Sequence, residues 1–166
     1  MAEKKTDSPL IDPKVVDLGA QEPELAVKIP DRRKTPDKGG FIWGTGRRKS
    51  SIARVRIKPG KGKLIVNKKE INDYFTRLQD QSMVRAPLKA LNIIESFDIF
   101  VNVKGGGTTG QSGAIALGIA RALRNYDSTM IPALRDTGYL TRDSRMVERK
   151  KPGQKGARKR FQFSKR

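Results

Sequence analysis

The chain has no cysteine and no histidine. These absences remove disulfides, zinc fingers, histidine-based metal sites, cysteine nucleophiles and the serine–histidine–aspartate triad together. Any catalysis would fall to carboxylates, lysine, serine, threonine or tyrosine. No apolar run reaches the roughly 18 residues of a membrane-spanning helix, so none is expected. Aromatic residues make up 6% and hydrophobic residues 36% of the 166, enough for one modest core but not for two. Acids are scarce relative to bases, 17 against 36, which leaves a net charge of +19. Such an excess repels itself in a compact monomer unless a polyanion neutralises it. Nucleic acid is therefore the first candidate partner and an anionic membrane surface the second. The start shows no secretory signal pattern, and Glu3, Asp7, Asp12 and Asp17 do not fit an acid-poor transit peptide.

The charge is unevenly placed. Residues 1–40 balance eight basic against eight acidic side chains and hold five of the nine prolines. Frequent proline and short apolar clusters do not build a core, so 1–40 reads as an N-terminal extension, disordered in isolation. Leu25, Val27 and Ile29 are its candidates for packing on a neighbouring protein. Residues 41–166 carry 28 basic against 9 acidic side chains, the whole excess. They divide into a globular part, 41–140, and a basic C-terminal tail, 141–166.

Within the globular part the hydrophobic period sets the elements. Ala53, Val55 and Ile57 alternate with Arg54, Arg56 and Lys58, the pattern of a half-buried strand with a basic outer face. Pro59 to Gly62 is a turn cluster, Lys63 to Val66 a second strand, and Asn67 to Glu70 another turn. A short helix is predicted over 72–78, and another over 87–91 with Pro87 in its first turn. Phe97, Ile99, Val101 and Val103 alternate with Asp98, Asn102 and Lys104 as a further strand. After Gly105 to Gly107 the longest helix runs over 110–125, with Ile115, Ile119, Ala122 and Leu123 inward and Arg121 and Arg124 on its wet side. Its small residues, Gly113, Ala114, Ala116, Gly118 and Ala120, let it lie close on a sheet. One more short helix, 132–137, stops at Gly138. The class is α+β: a small mixed or antiparallel sheet with helices mostly on one face.

Gly105, Gly107 and Gly110 satisfy the dinucleotide pattern between a strand and a helix. No second βαβ unit follows, and no Gly-Lys-Ser/Thr makes a phosphate loop, so that reading is rejected. Gly107 to Gly110 also fits the GXXG of KH domains, but there the loop joins two helices. What remains is physical: glycines that let backbone approach a phosphate, a helix start with spare N–H groups, and neutral donors on Thr108, Thr109 and Gln111. A plain tight turn with no ligand explains the same residues equally well. Gly44 to Ser51 joins a flexible glycine segment to Arg47, Arg48 and Lys49 and feeds the strand of Arg54 and Arg56, which makes one basic stripe. In the tail, 11 basic residues face only Asp143 and Glu148. Lys150, Lys151, Lys155, Arg158, Lys159 and Arg160 cannot bury a core but can each neutralise a phosphate. Phe161 and Phe163 stand ready to stack on unpaired bases or fill a protein groove.

Three blocks together resemble the small-subunit ribosomal protein nine family of the bacterial type. They are Gly44 to Arg54, the run Gly105-Gly106-Gly107-Thr108-Thr109-Gly110-Gln111-Ser112-Gly113-Ala114 with Ala120 to Leu123, and Leu140 to Lys151 with the Ser164-Lys165-Arg166 end. The resemblance implies a small mixed sheet backed by helices, of the ribosomal protein S-five domain-two type, with an extended basic tail. It implies a structural role on cytoplasmic ribosomes, binding of small-subunit ribosomal RNA in the head of the subunit beside neighbouring head proteins, and no catalysis. It also implies that the tail reaches the peptidyl site, where Lys165 and Arg166, with Ser164, touch transfer RNA. Nothing carries over to residues 1–40. The expected RNA-binding residues are Arg47, Arg48, Lys49, Arg54, Arg56, Gly105, Gly106, Gly107, Thr108, Thr109 and Gln111 in the domain, and the six tail cations named above. No cofactor, metal, membrane or small-molecule substrate is expected. Two other classes stay open: a free nucleic-acid binder, which would not need a fixed last residue, and a nucleotide enzyme using the glycine turn.

Overall fold

The computed structural model describes residues 36–164. Leu25, Val27 and Ile29, and the terminal Lys165 and Arg166, lie outside them. The elements run β1 (Ile42–Arg48), β2 (Ser51–Pro59), β3 (Leu64–Val66), β4 (Lys69–Glu70), α1 (Ile71–Tyr74), α2 (Leu78–Ala90), β5 (Phe97–Lys104), α3 (Thr108–Tyr126), a 3-10 turn at Ser128–Met130 and α4 (Ile131–Asp136). The five strands form one mixed sheet in the order β1-β2-β5-β3-β4. β5 pairs antiparallel with β2 and parallel with β3.

The expected alternation in β2 and β5 is present. Ala53, Val55, Ile57, Ile99, Val101 and Val103 are all buried on one face, under α3. Ile115, Ile119, Ala122 and Leu123 of α3 are fully buried against them. The approach is close. A Cβ on Gly46 would stand 1.8 Å from the Ala114 carbonyl oxygen, and one on Gly44 2.2 Å from that of Gly118. The segment expected to be flexible is therefore a strand, its glycines giving α3 room. Asn125 and Arg121 of α3 donate to the carbonyls of Trp43 and Thr45, both at 2.8 Å, and so cover the polar rim of edge strand β1. Arg121 is thus half-buried rather than on a wet face.

Three expectations change. The turn over 67–70 is shorter than expected: Asn67 and Lys68 both have positive φ, 47° and 69°, which returns the chain tightly enough for Lys69–Glu70 to pair as β4. The helix expected over 72–78 is one turn, α1. Phe75 then turns extended and its ring is fully buried in the core. The helix expected over 87–91 is the end of α2, which begins at Leu78 and holds Pro87 in its interior. Its inner stripe is Asp80, Val84 and Leu88 with Pro87. The carboxylate at the head of that stripe hides the helical period, and it accepts from Ser112 Oγ at 2.9 Å across the α2–α3 contact.

Candidate nucleic-acid interface

All described helices that cover the sheet lie on one side, so the other face is open. Strand parity puts Arg54, Arg56 and Lys58 of β2 there. Register sets Trp43 beside Arg56 on one flank and Phe100 on the other, and Thr45 and Asn102 on either side of Arg54. Phe41, just before β1, meets Phe100 edge-on with centroids 5.9 Å apart. The Arg54 guanidinium sits 4.8 Å above the Trp43 ring. That of Arg56 sits 4.9 Å from Phe41 and 5.3 Å from Phe100, and Lys58 Nζ 5.6 Å from Phe41. Each cation rests against a ring face, a favourable contact that also holds it in place. Asp98 is the one acid that parity puts on this face in β5. Its carboxylate accepts the Lys61 and Lys63 backbone N–H groups at 2.9 and 3.1 Å, which hold it below the usual carboxylate range. The aromatic half of this surface was missed from sequence. The signal was available: Phe100 shares parity with Asn102 and not with Val101.

The expected basic stripe divides. Arg47 is exposed and continues the open face, and Lys49 is exposed at the β1–β2 turn with φ 50°. Arg48 has the opposite parity. Its Nε and terminal nitrogen reach Asp143 Oδ2 at 3.2 and 3.1 Å, and its other nitrogen donates to Thr109 O at 3.1 Å. Arg48 therefore holds the root of the tail against α3. Burial, and then the nearby charges of Arg124, Arg142 and Arg47, press the Arg121 pKa downward. That mutual repulsion marks four arginines gathered at the β1 edge, three of them outside the sequence-based site.

At the glycine turn, Gly105 and Gly106 have φ of 76° and 66°. A Cβ on Gly106 would fall 2.1 Å from Ser51 Oγ, so the turn is pressed on the start of β2. Thr108, Thr109 and Gly110 fill the first three positions of α3, whose N–H groups have no partner within the helix. Gln111 is not a spare donor. Its Nε2 donates to Gly105 O at 3.2 Å and its Oε1 accepts from the Tyr74 hydroxyl at 2.8 Å, so it braces the turn. A cavity of about 350 Å³ is lined by Leu64, Ile71, Leu88, Ile94 and Phe97, with nothing from the glycine turn. No metal-binding cluster and no helix long and apolar enough to cross a membrane occur among the described residues.

From Thr137 to Ser164 the described chain contains no helix or strand. Lys150, Lys151, Lys155, Arg158, Lys159 and Arg160 are all exposed. Asp143 also pairs with Arg145, at 2.8 Å. Glu148 pairs with Arg158, closing a turn that includes Gly153 at φ 70°. Lys155 Nζ lies 5.5 Å from the Phe161 ring.

A five-stranded mixed sheet with helices on one side and a cationic, aromatic face on the other is an α+β domain of the S5 domain 2-like type. Residues 46–166 match the family described as Ribosomal protein S9/S16. That span is well over half of the chain, and the chain belongs to this family. It is accordingly a structural protein of the small ribosomal subunit, an RNA-binding part of the ribonucleoprotein that carries out translation.

Proposed function

We propose that the chain binds small-subunit ribosomal RNA in the head of the subunit, beside neighbouring head proteins, and that its tail ends on peptidyl-site transfer RNA. In this reading 1–40 is an extension, 41–140 the RNA-binding domain and 141–166 the reaching tail. The observation that carries it is the split in the sheet. One face is wholly consumed by the core, while the other presents Arg47, Arg54, Arg56 and Lys58, with Asp98 beside them already committed to backbone. Arg47, Lys49, Arg54 and Arg56 contact phosphate directly. Arg48 and Gln111 act through position, holding the tail root and the glycine turn. The N–H groups of Thr108 and Thr109, above Gly105 to Gly107, offer a phosphate cradle at the positive end of α3. The six tail cations thread between RNA helices, each releasing counterions as it neutralises a phosphate. Ser164, Lys165 and Arg166 supply a hydroxyl and two cations to the transfer RNA backbone. The reading includes no catalysis.

Sedimentation of the tagged chain from a lysate through a high-salt sucrose gradient tests the assembly half. Co-migration with the small subunit at about one copy each is expected, whereas a simple polycation washes to the top. Deleting Lys165 and Arg166 tests the tail. Incorporation should be unchanged and peptidyl-site transfer RNA should bind more weakly. Equal transfer RNA affinity for deleted and full-length subunits would remove the tail assignment.

A further inference from the structure

We propose that the open face of the sheet is a stacking platform for unpaired nucleotides of single-stranded RNA, and not only a rail for the phosphates of a duplex. The proposal rests on the RNA-binding reading above and goes beyond it in naming the form of RNA and the groups that hold it.

The rings are the starting point. Phe41, Trp43 and Phe100 contribute nothing to the buried core, every member of which lies elsewhere. They are half-buried on the solvent side, gathered by two separate stretches of chain, the start of β1 and the middle of β5. Beyond the edge-on contact of Phe41 with Phe100, they meet Arg54, Arg56 and Lys58, which lie over ring faces at 4.8 to 6.0 Å. Planar guanidiniums on aromatic rings are themselves surfaces on which a base stacks. Two neutral side chains, Thr45 and Asn102, flank Arg54 in register and are exposed. They can donate to base edges or to a ribose 2′-hydroxyl. Arg47 and Lys104, both exposed, extend the positive field past that row. An A-form duplex would leave the rings unused, because its base faces are stacked inside the helix. An unpaired strand offers each ring a base face and each cation a phosphate, whatever its sequence.

Trp43 is the only tryptophan, so its fluorescence reports from this face alone. The full chain is titrated with oligouridylate and oligoadenylate, and separately with an RNA duplex of equal phosphate number. Salt is held at about 0.3 M to weaken the tail's phosphate contacts. Both single strands should quench Trp43, and the duplex should leave it nearly unchanged. Phe41→Leu with Phe100→Leu should weaken single-strand binding about tenfold or more without altering duplex binding. Phe41→Tyr with Phe100→Tyr should restore it, which separates stacking from a folding defect. Single-strand binding that leaves Trp43 unquenched, or equal losses for strand and duplex in the leucine variant, would overturn the platform. A chain that joins the small subunit yet fails here loses the platform alone, while one that binds neither probe loses the RNA-binding reading as well.

Discussion

The two faces of the sheet are made by the same strands and differ only in residue parity, yet they do opposite work. On the closed face the side chains are Ala53, Val55, Ile57, Ile99, Val101 and Val103, and α3 comes so near that β1 keeps glycine at 44 and 46. On the open face Arg54, Arg56 and Lys58 of β2 are each laid over an aromatic ring. The first face holds the domain together by apolar burial, at about 1.5–3 kcal/mol for each large side chain. The second gains only its cation–ring contacts, about 0.5–1 kcal/mol each at an exposed site, and in the proposed reading keeps its charge for RNA. A period of two therefore separates stability from binding within three strands. Substitutions on the closed face should leave binding per folded molecule unchanged, and those on the open face should cost stability only their ring contacts.

The largest expected break is Gly46→Ala on the closed face. The new methyl would press on the Ala114 carbonyl and on the Gly118 nitrogen 2.5 Å away, both backbone, so neither side can yield cheaply. A loss at the upper end of about 1–3 kcal/mol is expected in urea unfolding. RNA affinity per folded molecule should be unchanged. A smaller effect belongs to the tail root. The side chain and backbone N–H of Arg145, with the Arg48 guanidinium, hold the Asp143 carboxyl well below the usual carboxylate range. A depressed carboxylate contributes fully above its unfolded pKa and loses that contribution only as pH falls through the folded value. The Arg48 and Arg145 Nε–H resonances should therefore keep their protection from about pH 8 to about pH 5 and lose it only in stronger acid. Asp143→Asn should abolish the protection at every pH and speed tryptic cleavage after Arg145 several-fold, while the unfolding midpoint of the domain stays put. Protection lost near neutral pH would contradict the assignment of the clamp to this carboxylate.

How far the sequence could be read follows the same physics. β2, β5 and α3 were legible because each keeps its hydrophobic period over seven or more residues, as did the glycine break and the stop at Gly138. β1 was not, because Gly44 and Gly46 occupy two of its buried positions and leave no apolar signal there. α2 was hidden by a buried carboxylate, Asp80, and by Pro87 inside the helix, each of which argues locally against the element that packing selects. Within the site, Arg54 and Arg56 follow from strand parity alone. The positioning roles of Arg48 and Gln111 depend on Asp143, Tyr74 and Gly105, partners that only the tertiary fold brings near. The arginine group at the β1 edge is similarly scattered along the chain, at 47, 121, 124 and 142, and exists only after α3 has docked.

The most direct test of the division between faces is the variant Arg54→Gln, Arg56→Gln, Lys58→Gln, compared with the unsubstituted chain in urea unfolding and in high-salt co-sedimentation with the small subunit. A stability loss of no more than about 0.5–1 kcal/mol for each cation–ring contact removed, together with a marked fall in the fraction retained on the subunit, is the predicted result. Full retention by a stable variant would show that the open face does not hold RNA and would contradict the account.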